Sequence, residues 1–140
     1  MILSDSFGLS NEPEPSLTLN LDLYGSTKAM YSDLESRFGV YEDVIKEAGS
    51  EAIKVDVVND ALLDFAEKNS YEYFSKYVVA SEFNHTSANT WILNALYSST
   101  AIHSYPISVN MLSNTILRFN NLSHKISVTN HPLKIMEVSL

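Results

Sequence analysis

The sequence predicts an α/β (α+β) layered domain, a mixed sheet of about five strands covered by about three helices. Three observations predict it. Runs of apolar–polar alternation, the period of a strand with one buried face, occur at residues 17–23, 53–58 and 124–129. Between them lie stretches whose apolar residues recur three and four apart, the period of an amphipathic helix. The two kinds also interleave along the chain, which suits helices layered on a sheet.

Residues 1–15 are expected to be a lead-in, because the Pro- and Glu-rich Asn11 to Ser16 favours extended, poorly ordered chain. Leu17 to Leu23 alternates strictly and reads as a strand, closed by turn chemistry at Tyr24-Gly25-Ser26. Ser32, with Glu35 three residues on, has the capping-box spacing and is expected to open a helix. Leu34, Phe38, Tyr41, Val44, Ile45 and Ala48 follow at helical spacing, Gly49 suits the stop, and Gly39 is a weak point costing about 1 kcal/mol relative to Ala. Ile53 to Val58 is the next strand. Asn59 or Asp60 can cap the helix after it, with Leu62, Phe65 and Ala66 on the buried side.

Tyr77 to Phe83 is rich in Tyr, Val and Phe and predicts a strand, followed by a polar turn at residues 84–89. Trp91 to Ser98 predicts another, and bulk on both of its faces predicts a central position. Ser104 can cap a third helix with Pro106 in its first turn, where the missing amide hydrogen costs nothing. Val109, Leu112, Ile116 and Phe119 form its apolar stripe. His124 to Thr129 alternates and closes a domain expected to span 16–134, leaving 135–140 as a tail.

At 140 residues, 45% hydrophobic and 19% charged, the chain is long enough for one self-sufficient core. Nine basic against seventeen acidic residues give a net charge of −8. That sign argues against nucleic acid, which is held mainly by Lys and Arg on phosphates, and against docking on anionic headgroups. With no cysteine, disulfides, thiol catalysis and zinc–thiolate sites are excluded together. No apolar run reaches the eighteen or so residues of a membrane span, and the start MILSDSFG lacks the features of a signal peptide.

Candidate chemistry is sparse. His85, His103, His124 and His131 form no HxH, HxxxH or HExxH pair, so no metal site is expected. The pairs Asp56/Asp60 and Asp60/Asp64 could serve as acid and base, but Asp60/Asp64 suits the solvated face of a short helix. There is no GxSxG elbow and no phosphate-cradling Gly-rich loop, so neither catalytic nor cofactor-binding residues are assigned. The rings of Tyr71, Tyr73, Phe74 and Tyr77 are expected to fill the core; the competing reading is a surface touching lipid or a sister domain. The sequons at Asn84 and Asn121 both fall in expected loops, which favours the secretory pathway.

One stretch resembles a known family. From Trp91 onward the chain is similar to the extracytoplasmic loop of subfamily A ATP-binding cassette lipid transporters. There, an Asn-containing strand leads to His-Ser-x-Pro, a helix carrying an Asn ahead of a Leu, and a strand ending in Asn-His-Pro or Asn-Tyr-Pro. Asn94, His103, Ser104, Pro106, Asn114, Leu117 and Asn130, His131, Pro132 occupy the matching positions. The run LTLNLDLYG and Tyr77 to Phe83 also look like family elements, so the resemblance covers most of 16–134 with its specific motifs in the last third. Ser98 and Ser99 depart from the polar amides of many members, and the missing cysteine puts in doubt the disulfide that ties this domain to a partner loop in some relatives.

The resemblance implies a domain between the first and second membrane helices of one half-transporter, the second half by its modest length. It implies an extracellular or organelle-luminal location and no enzymatic activity or cofactor in this domain, ATP being hydrolysed elsewhere in the parent. Its partners would be lipid, the other extracytoplasmic domain and the membrane helices, and the isolated piece is expected to be monomeric. A small free-standing secreted binding module is the alternative; a small cytosolic enzyme would need convergent polar groups at strand ends.

Overall fold

A computed structural model describes residues 15–133. The expected lead-in (1–15) and tail (135–140) thus fall outside the described residues, apart from Pro15. The architecture is a mixed α+β domain with a four-stranded sheet, a two-stranded sheet and four α-helices among the described residues. Short β1 (Leu17–Thr18) pairs antiparallel with β6 (Thr129–Asn130). The main sheet has the order β3-β2-β4-β5, formed by β2 (Lys28–Asp33), β3 (Glu51–Lys54), β4 (Tyr77–His85) and β5 (Trp91–Tyr97). β2 runs parallel to both β3 and β4, and β5 returns antiparallel to β4.

The helices are α1 (Val40–Glu47), α2 (Val58–Lys68), α3 (Ser70–Lys76) and α4 (Ser104–Phe119). From β2 the chain moves outward through α1 to β3, then returns over β2 through α2 and α3 to β4. Two right-handed crossovers running in opposite directions must place their helices on opposite faces of the sheet. The packing matches. Tyr41, Val44 and Ile45 of α1 and Ile107 and Met111 of α4 join Ala29, Tyr31, Val79 and Phe83 in the larger core. Val58, Ala61, Leu62 and Phe65 of α2 and Tyr73 of α3 pack with Met30 and Ala80 on the other face.

Several expectations are corrected. Leu17 to Leu23 is not one strand: the strand is Leu17–Thr18 with one further main-chain bond from Leu19 N–H to Val128 O (2.8 Å), and residues 21–24 form a 3-10 turn, with Leu21 fully buried. The strand that alternation does not reveal is β2, covered on both faces and therefore without a period. Ser32 lies inside it, so Ser32 and Glu35 form no capping box, and Leu34 is exposed rather than helical core. The buried Asp33 carboxylate instead accepts the amides of Arg37 (3.2 Å) and Phe38 (2.9 Å), shaping the loop that delivers α1. Gly49 does end that helix, at φ +83°. Asn59 and Asp60 lie within α2, whose N-cap is Val57. β5 is an edge strand, not a central one. Of the closing strand only Thr129 pairs, extended by Asn130.

Candidate functional site

In a sheet wound in both directions, ligand crevices lie at the carboxyl ends of the strands flanking the switch in winding, here β2 and β4. That edge carries a connected polar cluster. Glu35 faces His85 Nδ1 at 3.1 Å and Arg37 at 3.4 Å. The Arg37 guanidinium stands over the Trp91 ring, 5.6 Å from its centre, and the His85 ring lies 4.7 Å from the same ring. His85 Nε2 meets Asn89 Oδ1 at 3.1 Å. Both imidazole nitrogens are thus engaged and every charge is partnered within the cluster. It braces the β4–β5 hairpin against the loop after β2 and presents no nucleophile with a free base.

Two small clefts flank the sheet. One, of about 90 Å³, lies between α1, α4 and the segment before β6, lined by Leu19, Val44, Met111, Asn114, Arg118 and Ile126 among others. The other, of about 50 Å³, opens between α2, α3 and the β4–β5 pair, with Leu62, Tyr73, Tyr77, Leu96 and Tyr97 in its walls. Pockets that enclose whole small ligands measure about 300–1,000 Å³, so neither cleft encloses one. A larger hollow of about 330 Å³, between Glu42, Lys46, Ser50, Glu51 and Ala52 beside β3, is shallower and more open.

Beside the second cleft lies the most conspicuous apolar surface of that face. The expectation that the rings of residues 71–77 fill the core holds only in part. Tyr77, at the start of β4, is buried against Phe65 and Tyr73 stacks on it, whereas Tyr71 is 85% and Phe74 61% exposed. Residues 71–76 belong to helix α3, not to a strand. A seven-residue helix has one face toward the sheet, and residues 71 and 74 share the other.

The residues singled out by sequence are dispersed. Asn94, exposed on β5, donates to Glu82 Oε2 across the hairpin (3.1 Å). The backbone N–H of His103 donates to the Tyr24 hydroxyl (2.9 Å). Ser104 does not cap α4 as expected: it is the first helical residue, and its hydroxyl donates to the carbonyls of Ser98 (2.5 Å) and Ala101 (2.8 Å). Pro106 sits in the first turn, as its missing amide hydrogen allows. Asn114 is buried; it donates to Ile126 O (3.0 Å) and accepts the Ile126 N–H (2.8 Å), while Asn110 donates to the same carbonyl (2.9 Å). Asn130 pairs with Leu17, and His131 and Pro132 follow it, exposed.

Asn121 lies in a turn at φ +57°, exposed. Asn84, however, is not in a loop but on β4, opposite Ile92 and half-buried. Asp60 and Asp64 are exposed, Asp64 bound to Lys68 at 2.8 Å. No three potential metal ligands converge among the described residues. Asn110 is not singled out by sequence reasoning; its signal is the i, i+4 spacing that puts it on one helix face with Asn114. No family model matches the chain, and no curated protein matches it.

Proposed function

We propose that this chain is a non-catalytic extracytoplasmic domain of an ATP-driven lipid transporter that touches lipid or a neighbouring domain through the α3 surface. One observation carries the contact reading: Tyr71 and Phe74 stand exposed on α3, and Phe74 meets (5.1 Å) the Tyr73 ring that walls an apolar cleft with Leu96 and Tyr97. Exposed large rings cost solvation and are concentrated where a surface meets an apolar partner. The cleft volume admits the end of one chain and not a whole lipid, which favours contact along an exit path over carriage. Support for the transporter setting comes from the His103–Pro106 and Asn130–Pro132 resemblance. The way those residues are used, as hydrogen-bond pins rather than as convergent reactive groups, fits a scaffold.

The test is a titration of the 140-residue chain with phosphatidylcholine vesicles, read by amide chemical shifts. Shifts should cluster on residues 62, 71–77 and 96–97, and Phe74→Ser should weaken them without changing thermal stability, the ring being exposed. Shifts absent or scattered over both faces would refute the contact surface.

A further inference from the structure

The sheet has two edges of opposite character. β3, at one end, is four residues long and bears charge at both ends, Glu51 and Lys54, with Lys28 alongside; short charged edges resist pairing with other chains. β5, at the other end, is seven residues, Trp91-Ile-Leu-Asn-Ala-Leu-Tyr97, with no charge, proline or glycine and no bulge in its pairing with β4. Nothing among the described residues pairs with its outer side.

The direction of its free main-chain groups follows from the hairpin. Ser98 N–H donates to Val78 O (2.9 Å) and Thr86 N–H to Thr90 O (2.8 Å), so the even-numbered residues of β5 bond to β4. Alternation then turns the N–H and C=O of Trp91, Leu93, Ala95 and Tyr97 outward.

Helix α4 overhangs the same edge. Its sheet-facing side holds Ile107 and Met111, its inner flank turns Asn110 and Asn114 toward Ile126, and Ser108 on the other flank donates to Leu96 O (2.6 Å). At about 100° per residue, Tyr105, Val109, Ile116 and Phe119 lie beyond Ser108, toward and past the β5 edge, around Leu112, which is itself buried in the larger core. Tyr105 meets Tyr97 (rings 5.1 Å apart) at one end of the stripe. At the other, Phe119 stacks on Phe38 (4.5 Å), which meets Trp91 (5.0 Å). The stripe therefore runs the length of the strand. Val109 is 42% and Ile116 39% exposed, and Arg118 is the single charge in β5 and α4 together.

We infer that β5 and α4 form a self-association surface, with a second copy of this chain as the occupant. An antiparallel β5–β5 pairing centred on Asn94 sets Leu93 against Ala95 of the second copy and Trp91 against its Tyr97. All four residues have outward-facing groups, giving about eight main-chain hydrogen bonds. The two-fold axis of such a pairing is normal to the sheet, so both α4 helices stay on one face and their apolar stripes meet antiparallel. A charge-depleted, apolar centre is what a two-fold interface requires. Among the described residues this edge supplies one, on a chain of net charge −8 whose other edge, β3, is charged.

The test is sedimentation equilibrium of the full 140-residue chain over a range of concentrations. A monomer–dimer equilibrium is expected, tightening as salt screens the −8 charge of each copy. Val109→Lys places like charges across the axis, and Ala95→Pro removes an outward N–H that β4 does not use. Each should weaken the dimer at least about tenfold, because the two-fold axis repeats every substitution on both copies, while circular dichroism stays unchanged. Leu63→Lys, exposed on α2 across the sheet from α4, should leave it intact. A chain monomeric at every concentration overturns the inference. So does a dimer indifferent to both variants, or one that Leu63→Lys disrupts. Lipid-induced shifts at α3 are read independently, so either reading can fail alone.

Discussion

Asn114 gives the sharpest test of how the domain is closed. Its carboxamide accepts the Ile126 N–H and donates to the Ile126 carbonyl, the same pair of bonds an adjacent strand would make. It therefore substitutes for a ladder between Leu122, whose N–H donates to Leu117 O, and Val128, whose carbonyl accepts the Leu19 N–H, and ties the segment before β6 across α4. Each net hydrogen bond is worth about 1 kcal/mol, so Asn114→Ala should cost about 2–3 kcal/mol once the truncated, buried side chain is included. With an unfolding entropy of about 2.1 cal/mol/K per residue, this chain should lose about 7–10 °C in Tm. Asn110→Ala removes one bond to a carbonyl that Asn114 still serves, and the longer one (3.3 Å) its Oδ1 accepts from Asn114 Nδ2, and should cost about 1 kcal/mol. Urea unfolding measures both, and hydrogen exchange at the Ile126 amide reports the clasp locally. A loss below about 0.5 kcal/mol for Asn114→Ala, or an equal or larger one for Asn110→Ala, would refute the clasp.

Two further outcomes follow. Gly49→Ala forces a Cβ into the left-handed region and into the Asp22 carboxylate, which can swing aside. Backbone strain then dominates, and a loss of about 1–2 kcal/mol is expected in urea unfolding, with no loss refuting the strained cap. Burial pushes the phenols of Tyr31 and Tyr41 well above the ordinary value near 10, and the hydrogen bond from Tyr31 to Glu42 (2.5 Å) raises its own further. A raised folded-state pKa contributes stability that is complete below the unfolded value and lost as pH climbs past it. The urea midpoint should hold to about pH 9.5 and fall above about 10. Tyr31→Phe should flatten part of that fall, and an unchanged alkaline limb in the double variant Tyr31→Phe, Tyr41→Phe would refute the assignment.

The order of elements is legible in the sequence wherever one face of an element meets water. α2 announces itself by Leu62 and Phe65, and the strand character of β4 by its run of Tyr and Val. β2 is hidden because it is central. Ala29, Tyr31 and Asp33 face one layer and Met30 and Ser32 the other, all buried, so no period survives in the sequence. Without that strand, Ser32 and Glu35 are free to mimic a capping box. The aromatic surface is half legible: the ring spacing at 71–77 marks an apolar segment, but only the helical geometry of α3 separates Tyr77, which is buried, from Tyr71 and Phe74, which are not.

Helix α4 shows why a periodic stripe does not by itself locate the core. Of the stripe Val109, Leu112, Ile116 and Phe119 only Leu112 is buried, and the buried side otherwise holds Ser104, Ser108, Asn110, Asn114 and Thr115 beside Ile107 and Met111. Small and hydrogen-bonding residues belong there because the helix lies close against β5 and the clasped 125–128 segment. Carbonyls at Leu96 and Ile126, and at Met111 one turn back, need donors from Ser108, Asn114 and Thr115. Close approach selects small side chains, and buried carbonyls select polar ones. Val109, Ile116 and Phe119 are then left partly exposed on the flank, beside an uncharged strand with open hydrogen-bonding groups. A helix with an apolar flank next to an unprotected sheet edge fits the association inferred above, and the Val109→Lys and Ala95→Pro variants separate that origin from chance exposure.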